Sequence, residues 1–142
     1  MKLKKIISNL SLKEKVSLLS GFDNWHTPEI KKYGIPKIKM SDGPNGVRGD
    51  SSTPQTSACF PSPILLGATW NEKLIKKIGS ATGEEALFKD VDVLLAPTIN
   101  LHRHPLGGRH FECYSEDPVL TSKIACSYVS GVQSKGVAAC LK

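Results

Sequence analysis

Three short apolar runs, at residues 63–70, 91–96 and 137–141, alternate with two longer stretches whose apolar residues recur at helical spacing. This alternation constrains the fold more than any other feature. Parallel strands cannot be joined by a tight turn and need a crossover of about a dozen residues or more, usually a helix. Strand and helix in strict alternation therefore predict βα units and a parallel sheet. The runs are nearly all apolar, as strands covered on both faces should be. An earlier extended run, Ile38-Lys39-Met40, stops at Ser41-Asp42-Gly43-Pro44, which sets Asp42 at a strand's C-terminal end.

The helical stretches carry their own start signals. Asn71 is expected to cap a helix running to about Lys89, with Leu74, Ile75, Ile78 and Leu87 inward and with Gly79 and Gly83 letting a neighbour approach closely. Asp117-Pro118 reads as an N-cap followed by proline in the first turn, after which Leu120, Ile124, Tyr128 and Val132 recur every fourth residue. Near the start, Ser11-Leu12-Lys13-Glu14 has the form of a capping box, followed by an apolar stripe of Leu12, Val16 and Leu19 that ends at Gly21.

Charge and cysteine usage narrow the function classes. Lys and Arg number 19 against 13 Asp and Glu, a net +6. The lysines from Lys2 to Lys39 are dispersed and not interleaved with aromatics, which predicts a solvated basic surface and no nucleic-acid partner. No run of eighteen apolar residues exists to span a bilayer, so no membrane partner is expected. The opening MKLKKII is broken by Ser8 and Asn9 and lacks the apolar core of a signal peptide. Cys59, Cys113, Cys126 and Cys140 are widely spaced, without a C-x-x-C pair, and are expected to be reduced thiols, mostly buried, in a cytoplasmic protein.

Residues 100–118, NLHRHPLGGRHFECYSEDP, put three histidines, two arginines, two glutamates and an aspartate directly after the run that ends at Ala96. In parallel α/β folds, ligands gather outside the carboxyl ends of the strands. Three such ends deliver polar groups here: Asp42, the 100–118 loop and Lys142. Trp25 and His26, in a turn-rich stretch, are further candidates for a pocket. Glu112, Glu116 and Asp117 could be taken for catalytic acids, but Asp117 has a capping task and the glutamates are placed to orient Arg103 or Arg109 by ion pairing. His102-x-His104 could hold zinc, giving a metal-dependent barrel hydrolase. Pro105 and the lack of a third ligand at a familiar spacing weigh against that, and no metal or cofactor is expected.

Several motifs together resemble the N-terminal domain of family 3 glycoside hydrolases, within its β-glucosidase group. They are SDGPNGVR (residues 41–48), FPSPILLGATWN (60–71), GEEA (83–86), VDVLLAPTINLHRHPLGGRHFECYSEDP (91–118) and GVQSKGVAACLK (131–142). The resemblance implies an α/β fold, the N-terminal part of a (β/α)8 barrel, and retaining hydrolysis of terminal β-D-glucosyl residues with a β-linked glucoside as substrate. It implies substrate-binding roles for Asp42 in D-G-P, Arg109 in G-G-R and Lys142, the lysine of a Lys-His pair. It also implies that the aspartate nucleophile and the acid/base glutamate lie beyond residue 142, so this chain carries no catalytic residue of its own. His110 stands where asparagine is common and Cys113 where tyrosine is common.

A (β/α)8 barrel takes about 250 residues. The expectation is thus a single partial barrel domain over residues 1–142, with the rest of the barrel and a second α/β sandwich domain missing and no activity in isolation. An unclosed sheet edge predicts self-association or pairing with a complementary fragment. A non-catalytic half-barrel that binds a sugar or a partner is the alternative.

Overall fold

The computed structural model describes residues 3–49 and 55–142, which form two compact units, Met1–Met40 and Ser41–Lys142. In the first unit, helix α1 spans Leu3–Asn9 and helix α2 spans Leu12–Ser17. The capping box forms as its spacing predicts: the Ser11 N–H donates to Glu14 Oε2 at 2.8 Å and the Glu14 N–H to Ser11 Oγ at 3.3 Å. Glu14 also meets Lys32 Nζ at 2.5 Å, and that contact, with the Ser11 bonds, lowers its carboxyl to about 2. The expected apolar stripe is not buried, however. Leu12, Val16 and Leu19 are 77%, 54% and 89% exposed, because six helical residues give α2 too little surface to build a seam.

A three-stranded sheet, all of it but Met40 in the second unit, has the order β1 (Met40–Asp42), β2 (Val93–Leu95), β3 (Ala138–Ala139). Strands β2 and β3 run parallel, with Val93 opposite Ala138 and Leu94 opposite Ala139. Backbone bonds continue the register past β3: Cys140 N–H to the Leu94 carbonyl at 2.9 Å, Lys142 N–H to Pro97 at 3.0 Å and Ile99 N–H back to Lys142 at 2.8 Å. Lys142 is thereby fixed beside the chain that leaves β2. An apolar groove of about 940 Å³ is lined by Ile99 and Leu101 after β2, Ala125 and Val129, and Ala139 and Leu141.

One run departs from the expected pattern. Residues 63–68 form helix α3 (Pro63–Ala68), not a strand. A six-residue apolar stretch does not declare its period, and here proline in the first turn and the burial of Pro63, Leu66 and Gly67 with Ile64 and Leu65 outward give a one-sided helix. The two long helices form where expected: α4 at Glu72–Phe88, capped by Asn71 Oδ1 on the Leu74 N–H at 3.0 Å, and α5 at Pro118–Gln133, capped by Asp117.

Helices α4 and α5 pack in backbone contact. A Cβ on Gly79 would stand 2.3 Å from the Tyr128 carbonyl oxygen, and one on Gly131 would stand 2.3 Å from that of Lys76. Around this seam Ile75, Leu94, Ile124, Tyr128, Val132 and Val137 close the core. Burial of Tyr128 pushes its hydroxyl up to about 12.

Candidate functional site

Two loops meet at the carboxyl end of the sheet in the second unit. The first leaves β1 at Asp42 and folds back so that the Arg48 N–H donates to the Asp42 carbonyl at 3.0 Å. Gly46 makes this return possible. Its φ is +138°, a region L side chains rarely adopt, and a Cβ there would lie 2.1 Å from the Ala58 carbonyl oxygen. The second loop runs from Asn100 to Asp117, with one 3₁₀ turn at His110–Glu112.

The Asp42 carboxylate, about three-quarters buried, receives the Lys142 ammonium at 2.5 Å on Oδ1 and faces the Arg48 guanidinium at 4.0 Å on Oδ2. Arg109 grips Glu112 through two parallel bonds, Nε to Oε1 at 2.6 Å and Nη2 to Oε2 at 2.8 Å. Those bonds hold the Glu112 carboxyl below its ordinary value; burial opposes them, and the nearby Lys142 charge lowers the carboxyl further. Arg109 is raised, mainly by Glu112 and in smaller part by Asp42. Asp42, Arg48 and Glu112 line a cleft of about 180 Å³ together with Asn45, Gly46 and Phe111, and Lys142 and Arg109 pair with its two carboxylates. Clefts that enclose a small ligand usually measure about 300–1,000 Å³. This cleft is smaller than that range.

The sequence-predicted residues Asp42, Arg109 and Lys142 thus come together, with Glu112 as the link to Arg109. Arg48 was missed as a site residue. Its signal lay in the S-D-G-P-N-G-V-R motif, where two glycines and a proline between Asp42 and Arg48 already describe a chain reversal.

The other candidates have local tasks. His102 Nε2 is within hydrogen-bond reach of the carbonyls of His110 and Cys113, at 2.9 and 3.1 Å, and its ring meets that of His110 edge to face. His104 Nδ1 accepts the Leu106 N–H at 3.2 Å. Among the described residues no group of three or more His, Cys, Asp or Glu could hold a metal ion. Asp117 Oδ1 caps α5, Glu112 orients Arg109, and Glu116 is exposed. In the first unit, His26 Nδ1 is 2.9 Å from Asp23, and the Trp25 carbonyl accepts the Met40 N–H. Of the cysteines only Cys113 is buried, which raises its thiol; the expectation of mostly buried thiols fails for Cys59, Cys126 and Cys140 because they lie on outward faces. No helix of the described residues is long and apolar enough to cross a membrane.

A parallel α/β sheet with two carboxylates and three cationic side chains gathered at its carboxyl end is the arrangement of a barrel-type α/β domain, whose polar groups collect where the strands end. The chain belongs to the glycosyl hydrolase family 3, whose N-terminal domain matches residues 5–142. It is 55% identical over 139 residues to a β-glucosidase of Rhizobium radiobacter, and 45% identical over 148 residues to thermostable β-glucosidase B of Acetivibrio thermocellus. These alignments cover 96% and 99% of the chain but 17% and 20% of those proteins, so the chain spans about a fifth of the relatives' length. Two solved structures cover the whole chain at 41% identity. Thermotoga neapolitana β-glucosidase 3B in complex with α-D-glucose matches over 23% of its length with a TM-score of 0.89, and Kluyveromyces marxianus β-glucosidase in complex with glucose over 17% with 0.94. The fold is accordingly α/β, the N-terminal part of a (β/α)8 barrel.

Proposed function

We propose that the cleft holds the terminal glucosyl unit of a β-linked glucoside, as part of the sugar-binding subsite of a retaining β-glucosidase. The observation that carries this reading is the Asp42 carboxylate poised between Lys142 and Arg48 with the Arg109–Glu112 pair beside it. A carboxylate can accept from two neighbouring hydroxyls of a pyranose, and ammonium and guanidinium groups donate to ring substituents in charge-assisted bonds. The rim sets the two carboxylates of Asp42 and Glu112 against the three cations Lys142, Arg48 and Arg109, so it offers acceptors and donors side by side.

Cleavage needs more than this rim. Retaining hydrolysis uses two carboxyls about 5–5.5 Å apart, one as nucleophile and one as a proton donor with a raised pKa. Glu112 is shifted the wrong way for a donor, and Asp42 is committed to Lys142. We assign the 142-residue chain a binding role only, with both catalytic carboxyls supplied by the part of the family's sequence it does not span.

Titration of the chain with glucose, followed by amide NMR shifts, tests the reading. Shifts should cluster at Asp42, Arg48 and residues 109–112, and Asp42→Ala should weaken binding at least tenfold with an unchanged melting temperature. Equal affinity in Asp42→Ala would refute the subsite. Nitrophenol release from an aryl β-glucoside above the Asp42→Ala level would refute the assignment of a binding role alone.

A further inference from the structure

Helix α4 lies outside the sugar cleft, yet its last turns carry a nearly buried ion pair aimed at the loop that builds it. Lys89 Nζ is 3.3 Å from Glu85 Oε1, with the two side chains 1% and 15% exposed. Taking two charges out of water is costly, and well-packed apolar residues commonly serve folding as well or better. What an apolar pair cannot do is hold backbone groups by direction.

These two side chains hold both polar groups of one peptide residue. Val47, fully buried, has its carbonyl taken by Lys89 Nζ at 2.7 Å and its N–H turned toward Glu85 Oε2 at 3.5 Å. Glu85 Oε1 also accepts the Ala58 N–H at 2.8 Å, and Lys89 Nζ bonds Ser57 Oγ, which itself donates to the Val47 carbonyl at 2.7 Å. The pair thus ties together the stretches 43–49 and 55–60, which are joined again by the Phe60 N–H on the Asn45 carbonyl at 2.8 Å. One residue beyond Val47 is Arg48, bonded through its N–H to the Asp42 carbonyl, and next is Gly49, whose N–H donates to Ser41 Oγ at 3.0 Å.

We propose that Glu85 and Lys89 are positioning residues for the sugar subsite: they pin Val47 and Ala58, and so fix the distance between the Asp42 carboxylate and the Arg48 guanidinium. The proposal rests on the sugar-binding reading above. Neither residue touches the cleft, so neither contributes to ligand contacts. Their effect on affinity passes through the backbone of Val47.

The test compares the chain with Glu85→Gln/Lys89→Met, which keeps side-chain length and leaves no unpaired ion, and with Ile124→Val, a core truncation that lowers stability without touching the loop. Glucose affinity and amide hydrogen exchange are both measured. In the double variant the dissociation constant should rise about tenfold, and the Arg48, Gly49 and Ala58 amides should exchange at least tenfold faster while those of Ile75 and Leu94 keep their protection. Ile124→Val should bind glucose as the parent does. If the double variant does not melt cooperatively, Lys89→Met alone, which leaves the less buried Glu85 carboxylate its Ala58 and Val47 amides, replaces it and should give a smaller change in the same direction. A folded variant with unchanged affinity overturns the proposal. If the parent chain shows no glucose binding, the subsite reading falls, and exchange at Arg48 and Gly49 decides the pinning: unchanged rates there overturn it.

Discussion

The α4–α5 seam and the charged rim at the carboxyl end of the sheet sit in the same unit and are built on opposite terms. The seam is made of shape: two glycines let backbones touch, and apolar side chains fill what remains. The rim is made of charge: Asp42, Arg48 and Glu112 line a shallow cleft, Lys142 and Arg109 pair with its two carboxylates, and every charge is partly wet. Shape tolerates almost no added volume, whereas exposed ion pairs contribute little to folding. The seam should therefore set stability and the rim should set recognition.

The strongest way to break this contrast is Gly79→Val. The new side chain meets the Tyr128 carbonyl, which belongs to backbone and cannot rotate away, so the helices must separate. Overpacking commonly costs about 1–3 kcal/mol, and a forced helix shift belongs at or above the top of that range. Chemical denaturation should show a loss of about 3 kcal/mol or more. A loss under about 1 kcal/mol would mean that the seam is plastic.

Asp117→Ala probes the join between the two regions, since Asp117 ends the polar loop and caps α5 by accepting the Val119 N–H at 2.7 Å and that of Leu120 at 3.4 Å. Removing such a cap typically costs about 1 kcal/mol. Thermal melting should record that loss while glucose affinity stays within twofold. A larger drop in affinity than in stability would place Asp117 on the rim's side of the divide.

The seam was the more legible region, and the reason is physical. Asn71, Asp117-Pro118 and the four-residue recurrence of Leu120, Ile124, Tyr128 and Val132 are local rules, so they survive whatever surrounds them. Gly79 could be flagged because an interior helical glycine needs a reason. Residues 63–68 form a helix and not the expected strand: a run so short carries no period, and the face it buries includes Gly67 against the Tyr114 carbonyl, a long-range contact no local rule announces. At the rim, Asp42, Arg109 and Lys142 could be singled out from motifs, but the nearness of Glu112 to Asp42 depends on two loops meeting in space. The Lys89 contact with Val47 spans forty-two residues and left no local mark.

The smallest expected effect concerns pH. Arg109 holds the Glu112 carboxyl below its ordinary value of 4.5, so the folded rim binds a proton at Glu112 less readily than the unfolded chain does. The sign follows: the pair's contribution is fully present above about 4.5 and is lost as pH falls through the lower folded value. Glucose affinity should therefore keep its Glu112-dependent part unchanged from pH 8 to 5 and begin to lose it only in more acid solution. Because Arg109 is 72% exposed and water screens the pair, that loss should stay within about threefold. Comparing the chain with Glu112→Gln across the range isolates it from other titrating groups, since the variant lacks only this carboxylate. If the difference between the two chains instead vanishes near neutral pH, the carboxyl is raised and not lowered, and Glu112 would have to be reconsidered as a proton donor facing the sugar.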